Sequence, residues 1–460
     1  MNTRTILDPE CWARETFGRS NLKDIRRTGR AIQVASLMAK NPSGSLPDQM
    51  HTWKGTIALY RLLDEEDVTF EALMQPHWDH TREQIEAQPA VLLVQDTTEV
   101  DLSHHPKTRG VGQIGNQRGR GLYLQTVLAL VPQTGEVLGC AVQEPFVRTP
   151  APVGETRSKR RQRDTRETDV WMRLVHRLGG IFPAETLVVH VGDRGADLFP
   201  FFQACQVTHT HFLVRGFENR RLQPEGDEQG HLLDEVRSWP TQANRPLQVP
   251  ASHGRTARST TVQLAFGKLT VLPPRFETRC GKEPLSLWAI RVWEEDTPAE
   301  EEPLEWLWLT SVPTLTLEHA WERVNWYEHR WVVEEYHQGL KTGCHLEQRQ
   351  VQSVDRLKRL LGFLSPLAGR LLQLRDLARR DPERPACEVL DTDVLAIVAT
   401  QTGQPPTTMT TQAFWKAVAQ MGGYLARRGD GPPGWKTLWK GWLRLQTLLE
   451  GVHLAFHLRL

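Results

Sequence analysis

Apolar positions change their period several times along this chain. From 1 to 75 the spacing is helical: Ile25, Ile32, Ala35 and Met38 line one side of a predicted helix, and Lys23, Arg26, Arg27 and Arg30 recur at i, i+3, i+4 and i+7 as a basic stripe. Pro42, Gly44 and Pro47 then break the helix. From 91 the apolar runs become continuous. Val91-Leu92-Leu93-Val94-Gln95-Asp96 and Leu187-Val188-Val189-His190-Val191-Gly192-Asp193 both read as buried strands that end in an aspartate. Between them, 121–131 and 136–145 flank Pro132-Gln133-Thr134-Gly135, a hairpin signature. Residues 168–179 and 195–205 read as helices, and His211–Arg215 and Trp306–Thr310 as further strands. The stretch 217–303 reads as a polar, β-rich insertion. One long helix is predicted from about Thr316 through Glu334 and another over 354–380. Leu438, Trp442, Leu445 and Leu449, spaced 4, 3 and 4 apart, form the stripe of a terminal amphipathic helix.

The order strand, hairpin, helix, strand, helix, strand predicts an α/β core, a mixed sheet with helices packed on it. Three regions follow: a helical segment over 1–75, the core over 76–372 with its insertion at 217–303, and a helical segment over 373–460. A chain of 460 residues is long enough for two or three domains.

Composition narrows the class. Hydrophobic residues make up 39% and charged residues 24%, as in soluble globular proteins. No apolar run approaches the ~20 residues needed to span a bilayer. Asp8, Glu10 and Arg14 interrupt any apolar signal core, so no membrane partner is expected. The six cysteines are scattered without a Cys-x-x-Cys, which fits a reducing cytoplasm. The net charge of +1 hides local excesses. Lys and Arg dominate 105–166, including the loop Arg157-Ser158-Lys159-Arg160-Arg161-Gln162-Arg163. Acids crowd 294–305, which reads as a solvated loop. Basic patches on a near-neutral chain are compatible with nucleic-acid binding. An ordinary amphipathic surface helix would carry the 23–30 stripe equally well.

Candidate chemistry centres on Tyr327, Arg330, Glu334 and Lys341, at i, i+3, i+7 and i+14. On one continuous helix these project within a wedge of roughly 60°. A carboxylate can hold a hard divalent cation, and Arg and Lys grip phosphate oxygens, a combination suited to phosphoryl transfer on a polynucleotide. By spacing alone the ordinary alternative stands ahead: a solvated face with Glu334 ion-paired to its cations. Asp96 and Asp193 shift that balance. Strand ends in α/β sheets are where sites are built, and two adjacent carboxylates stay ionised only around a cation. Each has an ordinary role too, Asp96 as a turn residue and Asp193 as a helix N-cap.

Together, Asp96-Thr97-Thr98, Asp193-Arg194-Gly195-Ala196-Asp197 and the Tyr327…Lys341 spacing resemble the DDE transposases of the insertion-sequence-four family. Trp306–Ser311, Leu22–Arg30, Arg370–Arg375 and Leu438–Trp442 also resemble that family's segments, so the likeness covers nearly the whole chain. It implies an RNase H-like catalytic core interrupted by a β insertion, between an N-terminal DNA-binding domain and a C-terminal dimerisation domain. It implies Asp96, Asp193 and Glu334 as catalytic metal ligands for two Mg²⁺ ions, with Mn²⁺ able to substitute. Tyr327, Arg330, Lys341 and Arg215 would hold DNA phosphates, and Trp306 would stack on a flipped base. Lys23, Arg26, Arg27, Arg30 and Lys40 would bind the terminal repeat.

The implied activity is cut-and-paste transposition by a homodimer on paired ends, acting on double-stranded terminal inverted repeats and target DNA in a bacterial cytoplasm, at the nucleoid. The alternatives are a metal-dependent nuclease that cuts without joining, and a catalytically silent DNA-binding regulator. Gly195 departs from the family, which commonly has a larger residue there. The basic loop at 157–163 is more cationic than expected, and 385–435 match poorly.

Overall fold

The computed structural model describes residues 6–115, 119–149, 152, 154–156, 159, 166–224, 229–250, 256–295, 297 and 301–458. The basic loop Arg157–Arg163 lies outside them, Lys159 excepted. The chain divides into two compact units, one formed by 1–81, 99–123 and 334–460, the other by 82–98 and 124–333.

The second unit is built on the sheet. Its strands are β1 (Ala90–Asp101), β3 (Gly119–Leu130), β4 (Val137–Phe146), β5 (Leu187–Gly192), β6 (His211–Arg215), β7 (Ala243–Val249), β8 (Arg258–Val271), β9 (Leu285–Glu294) and β10 (Glu305–Thr310). They run in the order β3-β1-β5-β6-β10-β9-β8-β7, with β4 paired to β3. The end of β1 after residue 98 and the start of β3 up to residue 123 belong to the first unit. There a short β2 (Gly112–Ile114) pairs with β3. β1, β5 and β6 are parallel, and β10, β9, β8 and β7 add on antiparallel. The mixed α/β architecture read from the sequence is therefore present, with the RNase H-like character the resemblance implies. The strands of the 217–303 stretch extend this same sheet instead of folding apart from it, because β9 pairs along the whole of β10.

Alternation decides the two faces of the sheet. Val91 and Leu93 of β1, Val188 of β5, Phe212 and Val214 of β6, and Leu307 and Leu309 of β10 point into one buried core. There they meet Trp171, Leu174 and Val175 of α6 (Asp169–Leu178) and Phe199, Phe201 and Phe202 of α7 (Phe199–Val207). The intervening positions, Asp96, Asp193, Arg215, Trp306 and Trp308, fall on the opposite face.

Two sequence expectations for this unit need correction. The acidic run is not merely a solvated loop. Glu294 is buried against Arg258, Glu301 also pairs with Arg258, and Glu305 bridges Arg237 and Arg291. Nor is there one long helix from Thr316. Thr316 caps a helix over Leu317–Glu328 by accepting the His319 N–H. The chain turns at His329-Arg330, restarts over Trp331–Gln338 and continues in a π turn over Gly339–Gly343. The single-helix wedge for Tyr327, Arg330, Glu334 and Lys341 therefore does not exist as drawn. The register breaks between Tyr327 and Glu334, and the π turn adds a residue before Lys341.

The first unit is helical. Its N-terminal elements are α1 (Pro9–Phe17), α2 (Ile25–Lys40), α3 (Leu46–Met50), α4 (Trp53–Asp64) and the start of α5 (Phe70–Glu86). With α8 (Leu232–Ser238), α9 (Leu317–Glu328) and α10 (Trp331–Gln338) counted along the chain, it continues with α11 (Val354–Arg379), α12 (Thr392–Thr402), α13 (Thr411–Met421) and α14 (Trp435–Leu458). Helix α11 is the buried spine. Its Arg370 is 1% exposed and donates to the carbonyls of Ile6, Leu7 and Ala39, with Trp12 and Trp439 rings about its guanidinium. Helices α13 and α14 cross at Gly422 and Gly441, where a Cβ on Gly441 would come within 1.7 Å of the Val418 carbonyl oxygen. The terminal stripe is internal: Leu438, Trp442 and Leu445 are buried, and Leu449 is half-buried.

The basic stripe at 23–30 also differs from its reading. Lys23 precedes the helix, in the left-handed region at φ 63°, and Asp24 caps α2. Ile25 is 82% exposed and does not belong to the apolar face. Arg27 turns back to Glu65, Asp67 and the Leu22 carbonyl. Arg26 is exposed and grips Asp24 at 2.7 Å, holding that carboxyl down at about 2. Arg30 donates to Gln33, and Lys40 pairs with Glu10.

Candidate active site

Parallel pairing brings the two aspartates together. Ala90 to Val94 of β1 lie opposite Leu187 to Val191 of β5. Two residues on, that register sets Asp96 beside Asp193, on the same face. Each carboxylate is aimed by one backbone N–H. Asp96 Oδ1 accepts from Thr97 at 2.8 Å, and Asp193 Oδ1 accepts from Gly195 at 2.8 Å. The Asp193 bond caps the one-turn helix Arg194–Ala196, so the ordinary N-cap role coexists with the site. Gly195 now has a reason. A Cβ there would sit 3.0 Å from Asp193 Oδ1, tight against the carboxylate it orients. Behind Asp96, the Thr97 hydroxyl donates to Gln125 Oε1, tying this part of β1 to the neighbouring β3.

An aromatic and cationic strip borders the pair. Trp308 is buried, with the Tyr327 ring 5.6 Å away and the Arg215 guanidinium 5.9 Å over its own ring. Arg215 also donates to the Glu305 carbonyl at 2.7 Å. Burial pushes the Tyr327 phenol up to about 12, opposed by Arg330, Arg215 and Arg194 and reinforced by Asp193. Those partners place Tyr327 within electrostatic reach of Asp193 and of three cations. Burial likewise lowers Arg215 to about 10, which leaves it a cation at neutral pH. Arg330 is buried with its guanidinium 4.8 Å over the ring of Trp331, a residue that is 63% exposed. Trp306 is half-buried on β10, on the same face as Trp308.

Of the residues singled out from sequence, Asp96, Asp193, Arg215, Trp306, Tyr327 and Arg330 belong to the second unit. Glu334 and Lys341 belong to the first. Glu334 lies half-buried in the first turn of α10, and Lys341 pairs with Glu347 at 3.2 Å. Among the described residues no group of three or more His, Cys, Asp or Glu side chains gathers around one point. The sequence pattern ends the first strand at Asp96, but β1 runs on to Asp101, so Asp96 lies within its strand and only Asp193 stands just past a strand end, that of β5. The pair still supplies hard oxygen donors from neighbouring strands, which suits a divalent cation that completes its shell with water and phosphate oxygens. Sequence reasoning missed Trp308 and Arg194. Trp308 shares a strand face with Trp306, and Arg194 follows Asp193 directly, so alternation and adjacency were the available signals.

Residues 155–365 match the family described as Transposase DDE domain, and residues 9–68 match Transposase DNA-binding. Two stretches of the chain thus match transposase domains, one DNA-binding and one DDE. The DDE match spans Asp193, Arg215, Trp306, Tyr327, Arg330, Glu334 and Lys341, whereas Asp96 lies before it. The DNA-binding match contains α2 with Arg26 and Arg30 on or near its outward side. The DNA-binding match supports DNA as a partner, the DDE match supports a DNA-cleaving or DNA-transferring enzyme in general, and DDE domains generally work with divalent metal ions. Among the described residues no helix is long and apolar enough to cross a membrane.

Proposed function

We propose that this transposase belongs with the insertion-sequence-four type and moves DNA by cutting and pasting. It would bind terminal inverted repeats, pair two ends as a homodimer, and carry out nicking, hairpin formation, hairpin hydrolysis and joining of 3′-OH ends to target DNA at the nucleoid. The observation that carries the reading is the register that sets Asp96 beside Asp193 in a chain with a DDE match. Asp96, Asp193 and Glu334 are the proposed ligands of Mg²⁺ or Mn²⁺, two ions per site. Metal bound there supplies activation of the attacking oxygen and stabilisation of the leaving one.

The chain's own residues do the rest. Thr97 and Gly195 aim the carboxylates. Arg215 and Arg330 neutralise phosphate charge, and Lys341 is assigned the same work. The Tyr327 phenol, kept protonated by burial, donates a hydrogen bond to a phosphate oxygen. Trp306 presents an aromatic surface to an extruded base, because every base offers a π-face whatever its sequence. All four reactions are in-line displacements at phosphorus, so one site serves them in turn.

The test incubates the full chain with DNA carrying the element's own ends, target plasmid and Mg²⁺. Nicked, hairpin and joined products in sequence support the proposal. Cleavage with no joined product supports the nuclease alternative, and binding with no cleavage supports the regulator.

A further inference from the structure

Strand β6 pairs antiparallel with β10, with Arg215 opposite Trp308. The ladder continues past the end of β6, since the Gly216 N–H donates to the Leu307 carbonyl at 2.8 Å. One residue further, that register sets Phe217 opposite Trp306, where directly opposed side chains share a face. Phe217 is 58% exposed, unusual for a phenylalanine held in so rigid a setting. Asp197, 3% exposed, accepts the Phe217 N–H at 2.7 Å and the Glu218 N–H at 2.8 Å, and is itself clamped by the buried Arg220 guanidinium. That fixes the loop and explains the second aspartate of the Asp193–Asp197 segment, which holds the loop that carries Phe217. Arg194 lies 5.5 Å over the Phe217 ring, and its charge also reaches Tyr327 and Arg215. An exposed aromatic on a braced loop, with the guanidinium of Arg194, the residue after Asp193, over its ring, has the chemistry of a stacking platform for unpaired DNA.

We propose that Phe217, backed by Arg194, is a second nucleobase-stacking surface facing Trp306 across the β6–β10 pair, and that an extruded base of the DNA end is held between the two rings. The proposal rests on the reading that Trp306 takes such a base. Two aromatic walls hold a base more firmly than one and do so without reading its identity. The occupant is a nucleobase of the DNA end at the point where the hairpin must form.

The test uses the whole 460-residue chain and duplexes of the element's own terminal sequence, with 2-aminopurine replacing each of the terminal bases in turn. Emission is read in EDTA, and nick and hairpin yields are then read with Mg²⁺. Wild type, Phe217→Ala, Phe217→Leu, Phe217→Trp and Trp306→Ala are compared, with melting temperatures as the folding control. Wild type quenches the probe at one position through stacking. Phe217→Ala brightens that position and slows hairpin formation roughly 5- to 150-fold, far more than it slows nicking, and Phe217→Trp restores both signals. If alanine lowers the melting temperature, Phe217→Leu keeps the apolar volume without the π-face and carries the same expectation. Wild-type emission and hairpin rates in Phe217→Ala, with both altered in Trp306→Ala, overturn the proposal while the proposed function stands. Silence of both variants overturns the base-stacking reading together with the second wall.

Discussion

Asp96 stands beside Asp193 because β1 and β5 are parallel neighbours in fixed register, and each carboxylate takes one backbone N–H through Oδ1, from Thr97 and Gly195 respectively. Neither bond involves the remainder of the strand, so the carboxylates can be changed without dismantling the sheet. Asp96→Asn, Asp193→Asn and Glu334→Gln should each abolish DNA cleavage and leave end binding in place. Gel-shift and cleavage assays on one preparation check this. Wild-type cleavage in any of the three removes that residue from the proposed ligand set.

On α2 the arginines should separate by role. Arg26→Ala and Arg30→Ala are expected to weaken binding to the terminal repeat and to lower the salt slope by about one phosphate contact each. Arg27→Ala should instead leave the repeat's affinity nearly unchanged and lower the melting temperature slightly, because it loses partners at Glu65 and Asp67. Fluorescence anisotropy over a salt series and thermal melts distinguish the two effects.

The two tryptophans of β10 make a second contrast. Trp308 is 5% exposed and packed on Tyr327, so Trp308→Ala should cost ~3–5 kcal/mol and depress nicking and hairpin formation together. Trp306 is only half-buried, and Trp306→Ala should slow hairpin formation roughly 5- to 150-fold while nicking falls much less. Parallel loss of both products and a large drop in melting temperature in the Trp306 variant would defeat its stacking role.

The terminal helix α14 divides along its length. Leu445 is fully buried, so Leu445→Asp should unfold the helical region. Leu448 and Leu454 are 40% and 59% exposed, and aspartate at both should leave the monomer folded and block paired-end complexes on native gels. Normal paired complexes from that soluble double variant would count against pairing through this helix.

Stability should weaken in acid through His190. Burial pushes this imidazole down to about 3 from its ordinary 6.5. The unfolded chain therefore takes up a proton near pH 6.5 that the folded protein refuses. The contribution is full above pH 6.5 and drains as the pH falls toward 3, by ~1.4 kcal/mol per pH unit. His190→Gln should flatten the fall in melting temperature between pH 6.5 and 5, and an unchanged slope would exclude this source.

The apolar patterns of this chain determined most of its elements. The runs at 91–94 and 187–191 read as buried strands, which they are, and the sequence put Asp193 just past the end of its strand; it did not show that β1 runs on through Asp96 to Asp101. The 132–135 turn marked its hairpin, and the tryptophan-rich stretch at 306–310 marked β10. Periodicity could not detect the break at His329-Arg330 or the π turn at 339–343, because both interrupt a pattern whose residues are individually helix-compatible. It could not tell Arg27 from Arg26, since the difference lies in Glu65 and Asp67, far along the chain. Nor could it say that the 217–303 strands extend the main sheet. Strand order and register are set by pairing between distant segments, and those same pairings put Asp96 beside Asp193 and Phe217 opposite Trp306.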